Sequence, residues 1–568
     1  MKSYRLREPV PSELFSELST YPETLGKLLY HRGIKTKVEA ESFLNPSYDL
    51  ALHDPFLIGG MERAVDRILL AIKGNQRIVV WSDYDHDGVP GGVVLREFFH
   101  AIEYKNFTNY IPHRYTEGYG LNTEGIETLA KDGASLIITV DCGITDVAPV
   151  AHAKELGVDV IITDHHLPAG DLPLAHTVLN SKQEHCEYPF PMLCGAAVAW
   201  KLVIALITRG EFQVPKGFEK WLLDLVGLST IADMVPLVGE NRILAHYGLL
   251  VLRKTRRPGL RALYKVLNLN PQFLTEDDVG FMLAPRLNAA SRMAEPQIAF
   301  NLLASLEADA PALAKELDQL NSKRKGAVGA LVREIKTILR DRRDTGPVLV
   351  AGNPEWRPGL LGLAATSVVE EFGKPVFLWG REGGEVLKGS CRSPNVDLVA
   401  LMSAVKEGVF MEFGGHSASG GFSVFPDAVH YLADRLSEAH SSMPTFTEPQ
   451  GEVLVDGTLP IKDVSESFWR EISRLAPFGM GNPKPLFMIE GGKILESKSF
   501  GKEGQHLSLI LQDEYGNKAK AIRFFMNDSR FSRSGIPEVG EDIKIVGTIE
   551  KSYFGRRPEV RLRIEDIL

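Results

Sequence analysis

The segment Asp83-Tyr-Asp-His-Asp-Gly88 sets three aspartates at alternate positions. Carboxylates this close repel one another unless cations sit among them. Hard oxygen ligands favour Mg²⁺ or Mn²⁺. A solvated turn or a calcium loop is the competing reading. An EF-hand would place Glu at its twelfth position, where this chain has Val94. Two further acidic positions belong beside it: Asp141, in Val-Asp-Cys-Gly, and Asp164-His165-His166. An imidazole pair directly behind an aspartate offers a mixed ligand set that suits Mn²⁺ better than calcium. Asp233 closes Ser229-Thr-Ile-Ala-Asp233 in an apolar run, where an unpaired carboxylate is costly. It is either a buried hydrogen-bonding group or helix cap, or another ligand. Together these residues can build two adjacent metal sites bridged by one carboxylate. Two metals roughly 3.5–4 Å apart activate a water and clamp the oxygens of an in-line phosphoryl displacement. The chain offers no P-loop, no Rossmann glycine fingerprint and no nucleophile–base pair. Metal-assisted phosphoester hydrolysis is the chemistry these residues suit.

The elements that must position them are legible as apolar runs. Arg77–Ser82, Leu136–Asp141 and Val158–Asp164 read as buried strands. Helical stretches lie between them, and alternating strands and helices imply a parallel sheet covered on both faces. The first strand runs into a Gly- and Asp-rich turn, and a helix is expected from near Val93. Each strand ends in aspartate or runs straight into a cluster of them. Open parallel sheets bind ligands outside the carboxyl ends of their strands, so the acidic residues stand where a site belongs.

At roughly 100–200 residues per domain, 568 residues imply several domains. An N-terminal helical extension is expected over 1–50 and the acidic α/β domain over 51–308. One long helix follows, with apolar positions at Leu313, Leu317, Leu320, Ala327, Leu331, Ile335 and Ile338 running toward Arg343, so 309–345 is read as a connector. A second α/β lobe spans 346–446. Pro444 to Pro449 is a punctuated break. Beyond it, 447–568 holds short alternating runs with all-β spacing, compatible with a small oligonucleotide-binding barrel. The fold class is therefore α/β: two lobes joined by a long helix, plus a C-terminal barrel.

Hydrophobic residues at 44% and charged residues at 24% exclude a largely disordered chain. A net charge of −9 excludes a wholesale polycation but not a local basic groove. No apolar run is long enough to span a membrane, and the N-terminus lacks a signal-peptide pattern. Four scattered cysteines without C-x-x-C suit a reducing compartment. The expectation is a cytoplasmic protein without a membrane partner. Cys186 and Cys194 beside His185 lack the spacing and fourth ligand of a zinc site.

Asp83-x-Asp-x-Asp together with Asp164-His-His166 resembles the DHH phosphoesterase superfamily, and within it the branch of single-strand-specific 5′→3′ DNA exonucleases. Seven more stretches fall in that family's order: Glu117–Leu121, Val140–Gly143, Ala232–Pro236, Ala284–Ala290, Lys388–Ser390 with Arg392, Phe413–His416 and Pro477–Pro483. One alone is weak, and nine in order are specific. The Gly-Gly-His stretch marks the DHH-associated domain, and the last introduces the barrel. The resemblance implies metal ligation by Asp85, Asp87, Asp141, His165 and Asp233, with Asp141 the bridge. Asp83 ligates or orients water, and His166 sits one step out, near the scissile phosphate. Two Mn²⁺ or Mg²⁺ ions per site are implied. Arg286, Asn288, Ser390, Arg392 and His416 would hold DNA phosphates. Arg114 and Tyr119 would line the strand's path, with Tyr119 stacking on a base. The implied partners are single-stranded DNA, a single-strand-binding protein and a helicase, and the implied state is a monomer.

The sequence departs from the family at His86, Pro90, Cys142, Ser291, Arg357 and Cys391. None of these removes a ligand, but Arg357 stands where a His is usual and puts that phosphate contact in doubt. The barrel interleaves charge and rings at Lys518–Phe525 and Tyr553–Arg557, which is what a single-strand groove needs. Alternation on a strand would also put such charges on a solvated face. The basic runs 253–257 and 323–325 read more simply as surface. Two rivals stand beside the exonuclease: a superfamily enzyme acting on short oligonucleotides or pyrophosphate, and a binding protein that has lost catalysis. The barrel argues against the first and the intact acidic motifs against the second.

Overall fold

A computed structural model describes residues 3–11, 16–168, 170–341, 346–381, 386–443, 452–501, 504–525, 535–553 and 558–568. The chain divides into two compact units. One holds Glu41–Arg324 with Leu475–Pro483, and the other holds Met1–Ala40, Lys325–Arg474 and Lys484–Leu568.

The first unit is built on a five-stranded, all-parallel sheet. Its order is Phe107–Tyr110, Arg77–Ser82, Ala134–Val140, Asp159–Thr163 and Thr177–Leu179. The three inner strands are almost wholly buried, as their continuous Val/Ile/Leu content requires. One face packs on a large core that includes Val93, Phe98, Trp200, Leu228 and Leu287. The other packs on Ile126, Leu129, Val150 and Ala153 beneath Trp81.

The helix after the acidic segment spans Gly88–Ala101 rather than starting near Val93. Pro90 is tolerated because the first-turn N–H groups have no intrahelical acceptor. The glycines expected in a turn lie on this helix instead. A Cβ on Gly91 would meet Val140 Cγ1 at 2.5 Å, and one on Gly92 would meet Ser82 Oγ at 2.7 Å. They let the helix press onto the sheet, bringing its N-terminal turn to the acidic edge.

A buried network fixes the helices behind that edge. Lys201 Nζ donates to Glu240 Oε1 at 2.5 Å and to the His53 carbonyl at 2.7 Å. Tyr188 donates its hydroxyl to Glu240 Oε2 at 2.6 Å. Residues 475–483, expected to lead into the barrel, pack in this first unit. Arg242 donates to the carbonyls of Leu475, Ala476 and Pro477, and the Leu237 N–H donates to the Met480 carbonyl at 2.7 Å. Their carbonyls need a donor, and a buried guanidinium supplies several.

In the second unit the long helix spans Ala310–Asp341 across the division, and Gly326 and Gly329 do not break it. Its expected end near Arg343 lies outside the described residues, as does the Pro444–Pro449 break. A mixed five-stranded sheet follows, ordered Phe410–His416, Ser419–Val424, Leu387–Arg392, Val376–Gly380 and Leu349–Gly352. The C-terminal strands Phe487–Phe500, His506–Gln512, Lys518–Arg523, Glu559–Ile567 and Asp542–Ser552 close into a barrel, because the first pairs with the last. Leu507, Leu509 and Leu511 alternate inward along one strand.

The N-terminal 50 residues are not uniformly helical. Ser3–Leu6 is a strand that pairs in parallel with Glu452–Val455. Tyr4 donates to Asp566 Oδ2 at 3.0 Å, and Arg7 pairs with Asp456 at 3.0 Å. Ser3–Leu6 and Glu452–Val455 form a two-stranded sheet of their own.

Candidate metal centre

Three aspartates step across the carboxyl edge of the parallel sheet. The Asp83 N–H donates to the Val140 carbonyl, Asp141 N–H to Thr163 and Asp164 N–H to Leu179, at 3.0, 2.9 and 3.1 Å. Each is the first residue past its strand and is tied to the last carbonyl of the next strand. Asp141 adopts φ +62°, in the left-handed region that ordinary side chains avoid. This is the kind of local strain that surrounding structure must hold in place.

The other side chains arrive from helices. Both oxygens of Asp87 accept from the first amides of helix Gly195–Arg209: Oδ2 from Gly195 at 2.6 Å and Oδ1 from Ala196 at 2.8 Å. A helix N-terminus has spare N–H groups and favours negative charge, so it holds this carboxylate in place. Asp85 Oδ1 accepts from the amides of Asp87 and Gly88. Asp233 stands at the C-terminal end of helix Leu223–Ala232. His165 Nε2 lies 3.1 Å from Asp141 Oδ1, 3.6 Å from Asp233 Oδ2 and 3.7 Å from Asp87 Oδ2. Two donor groups result: Asp87, His165 and Asp233 form one, and Asp83, Asp85 and Asp141 the other. Asp141 also groups with His165 and His166, so it touches both sides.

Asp164 has a different task. Its Oδ1 accepts from the His165 and His166 amides, and Oδ2 accepts from Ile144. It also holds His166 Nδ1 at 2.8 Å. This carboxylate shapes the turn that presents the two imidazoles. Tyr119 donates its hydroxyl to the Asp141 carbonyl at 3.0 Å, with its ring edge-on to Tyr84 and His166. Arg114 lies 4.6 Å above the Tyr84 ring.

The electrostatics of the bare cluster are unfavourable. Burial, followed by Asp87, Asp85, Asp83 and Asp233, pushes the Asp141 carboxyl well above its usual range. Burial and then Asp85 do the same to Asp83. Burial, Asp87 and Asp85 raise Asp233 to about 9. Burial lowers His165, keeping its imidazole neutral and fit to ligate. Burial also opposes charge on Asp85, but His86 and the amides of Asp87 and Gly88 outweigh it and hold Asp85 low. Asp83 Oδ1, Asp141 Oδ1 and His165 Nδ1 are buried with no hydrogen-bond partner among the described residues. Buried carboxylate oxygens without donors call for cations, and an oxygen-rich set with one imidazole suits Mn²⁺ or Mg²⁺. The residues fit such ions.

Gly195 is part of this fit. A Cβ there would lie 2.6 Å from Asp141 Cβ and 2.8 Å from its Oδ1. Gly195→Ala is therefore expected to weaken Mn²⁺ binding by about 10–100-fold, the range seen when the groups orienting metal ligands are disturbed. Calorimetric Mn²⁺ titration checks this, and an unchanged affinity contradicts it.

Asp146 carries a pH prediction. Its Oδ2 accepts from the Leu121 N–H at 2.7 Å. Burial raises its carboxyl to about 6, against the pull of that amide. The folded chain then binds the proton more tightly than the unfolded one, so stability is lost as pH rises from about 4 to 6. Asp146→Asn removes that loss. It should match the wild type near pH 4 and exceed it by about 3 kcal/mol above pH 6. Urea unfolding at several pH values measures the difference, and parallel curves for the two proteins would rule it out.

The other expected site residues belong to none of these donor groups. Asn288 Nδ2 is 2.8 Å from His86 Nδ1, at the rim. Arg286 is buried, with its guanidinium donating to Asp318 and to the Met282 carbonyl. Ser390, Arg392 and His416 belong to the second unit. Its register sets His416 opposite Ser419 and Ser419 opposite Arg392, with Ser390 two residues along the same strand. Arg357 precedes the first turn of helix Pro358–Phe372. On the barrel, Lys518 is exposed, Lys520 pairs with Glu559 and Arg523 is buried. Rings of Phe500, His506, Phe524 and Phe525 cluster there. Residues 554–557 of the second basic and aromatic stretch lie outside the described residues.

The basic run 253–257 is largely structural. Arg253 donates to the Leu274 carbonyl, Arg256 covers Trp221, and Arg257 pairs with buried Asp224 at 3.0 Å. Cys186, Cys194 and His185 form no metal-holding group among the described residues. Sequence reasoning passed over Asn180, which donates to the His166 carbonyl at 2.8 Å, and its neighbour Lys182. They follow Thr177–Leu179, a three-residue strand too short to register as an apolar run. The rule that flagged the aspartates, the carboxyl end of a parallel strand, applies to them equally.

Comparison with known proteins matches three family models to the chain. Residues 77–230 match the model of the DHH family, N-terminal domain, residues 345–441 the DHHA1 domain, and residues 455–566 the RecJ OB domain. The chain is 35% identical to the single-stranded-DNA-specific exonuclease RecJ of Bacillus subtilis over 95% of this chain and 67% of that protein. It is 32% identical to the protein of the same name from Salmonella typhimurium, over the full length of both. Among solved structures it resembles RecJ of Thermus thermophilus in complex with Mn²⁺. The TM-score is 0.81 at 28% identity, covering all of this chain and 79% of that one. With full-length similarity of this order and all three domain types in sequence, the chain belongs to the RecJ family.

Proposed function

We propose that this chain degrades single-stranded DNA from its 5′ end to mononucleotides by two-metal-ion phosphodiester hydrolysis, in DNA repair and recombination. The observation that carries this reading is the pair of donor groups at one sheet edge, joined through Asp141. The bound Mn²⁺ or Mg²⁺ would supply a water nucleophile and charge neutralisation at the scissile phosphate. Asp87, His165 and Asp233 would hold one cation, and Asp85 and Asp141 the other, with Asp141 the bridge and Asp83 beside it as ligand or water-orienting base. His166, fixed by Asp164, faces the phosphate. Burial lowers its proton affinity, but the Asp164 carboxylate outweighs that and raises it. His166 is thus suited to donate to a phosphate oxygen.

Arg114, Tyr119, Asn288, Ser390, Arg392 and His416 are assigned to the strand. Tyr119 keeps its hydroxyl anchored while its residue is 48% exposed, which leaves a ring face for a base. Arg286 is assigned with them, although it reaches a phosphate only by giving up Asp318. The division of labour is catalysis in 51–308, a connecting helix over 309–345, strand contact in 346–446 and grip in the barrel of 447–568, less the stretch 475–483. No helix among the described residues is long and apolar enough to cross a membrane. Four free cysteines support work in the cytoplasm. Action as a monomer, with a single-strand-binding protein and a helicase supplying substrate, completes the reading.

End-labelled DNA tests it. With Mn²⁺, 5′-labelled single strands should release labelled mononucleotide from the start, blunt duplex should resist, and chelator should stop the reaction. Release from the 3′ end first, or equal attack on duplex, would overturn the polarity and strand assignments. Faster turnover of dinucleotides than of long strands would favour the small-substrate rival.

A further inference from the structure

We propose that a cavity beside the metal centre seats one nucleoside flanking the scissile phosphate, and that Lys182 at its rim holds an oxygen of that phosphate. The inference rests on the nuclease reading and adds a subsite to it. The cavity has a volume of about 430 Å³ and is lined by Leu167, Ser181, Lys182, Gln183, Pro191 and Met192. It is a hollow open to solvent rather than an enclosed cavity, with room for one nucleoside against its wall. It opens where the edge strand Thr177–Leu179 ends, on the same edge as the three aspartates.

Two features identify the occupant. The first is which polar groups are already committed. Gln183 gives its side-chain N–H groups to the carbonyls of Val178 and Asn180, and Ser181 gives its hydroxyl to the Pro191 carbonyl. The wall presents Leu167, Pro191 and Met192, with Leu167 62% and Met192 37% exposed. Such a wall offers apolar contact to any base while donating nothing that would read its edge. An enzyme that must remove every nucleotide in turn needs that neutrality.

The second feature is Lys182 itself. Its residue is only partly exposed, and its ammonium has no hydrogen-bond acceptor and no ion-pair partner among the described residues. Asp233, Asp164 and Asp141 are near enough to act on its charge, yet none pairs with it. A partly desolvated ammonium without an acceptor is costly, so an anion is the natural partner. Its position is fixed relative to the catalytic imidazoles. The Lys182 N–H donates to Asn180 Oδ1, and Asn180 Nδ2 donates to the His166 carbonyl, both at 2.8 Å. The loop that carries the cation is therefore braced against the turn that carries His165 and His166. Apolar walls beside a cation that feels the carboxylates of the metal centre match a nucleoside monophosphate unit in charge and polarity.

Calorimetric binding of thymidine 5′-monophosphate, thymidine 3′-monophosphate and thymidine in Mn²⁺ tests this without turnover, since none has an internucleotide bond. At least one monophosphate should bind the wild type. Lys182→Met should weaken that binding about tenfold or more, the loss expected for one charge-assisted hydrogen bond, with little effect on thymidine. Lys182→Arg should restore most of it. Met192→Trp, which fills the cavity, should weaken nucleotide and nucleoside alike. Unchanged nucleotide affinity in both Lys182→Met and Met192→Trp, in proteins whose melting temperature and Mn²⁺ affinity match the wild type, overturns the subsite. Absence of Mn²⁺-dependent hydrolysis by the wild type would sink the nuclease reading instead.

Discussion

Asp141→Ala is expected to lower hydrolysis of single-stranded DNA by about 10³-fold or more, above the 10–100-fold typical of losing a ligand's hydrogen-bonding support. The reason is position. Asp141 sits in the donor group of Asp83 and Asp85, and its Oδ1 also lies 3.1 Å from His165 Nε2 of the other group. Removing it disturbs both cation sites at once, whereas loss of Asp233 disturbs one. Binding of a long strand should change little, because that task falls to other residues. The same substitution should stabilise the metal-free protein. Asp141 Oδ1 is buried without a hydrogen-bond partner among the described residues, and its carboxylate is crowded by four others. Deleting it relieves repulsion that only cations otherwise compensate. Asp141→Asn is the companion variant, since Asn tolerates the positive φ at this position. A steady-state rate, a strand-binding titration and a metal-free melting curve together check the prediction. Near-wild-type turnover would show that the bridging assignment is wrong.

Lys201→Met should destabilise the protein by about 3–5 kcal/mol, the cost of stranding one member of a buried ion pair. Lys201 and Glu240 are each 1% exposed. With the ammonium gone, Glu240 keeps the Tyr188 hydroxyl and the His53 amide but loses its countercharge. The effect should reach the metal centre only through stability, because Lys201 lies on the helix whose first amides hold Asp87 but contacts no ligand itself. The double variant Lys201→Met/Glu240→Leu should recover most of the loss, since apolar groups can replace a buried pair at little cost. Urea unfolding of the two proteins decides it. A single variant as stable as the wild type would mean that the pair contributes nothing.

Much of this centre was legible in the chain because its chemistry is concentrated at strand ends. Asp83, Asp141 and Asp164 each follow a Val/Ile-rich run, and the rule that parallel sheets bind at their carboxyl edge placed them together. The roles within that set were less legible. Asp164 looks like its neighbours in sequence, yet three backbone amides and His166 occupy it. Nothing local distinguishes a carboxylate that braces a turn from one that faces a cation. Gly91, Gly92 and Gly195 were opaque for a related reason. Glycine in a chain suggests a turn, while these three serve close approaches to Val140, Ser82 and Asp141 that only the tertiary fold brings about. Lys182 was hidden by the brevity of the strand before it. Residues 475–483 were assigned by proximity in sequence, and the donors that hold them, chiefly Arg242, lie more than two hundred positions away.

Diffraction from manganese-soaked crystals, recorded at the manganese absorption edge, examines the core of this account most directly. The expected result is two anomalous peaks, one among Asp87, His165 and Asp233 and the other among Asp83, Asp85 and Asp141, with Asp141 reaching both. No peak among these side chains, or manganese bound only elsewhere on the chain, would contradict it.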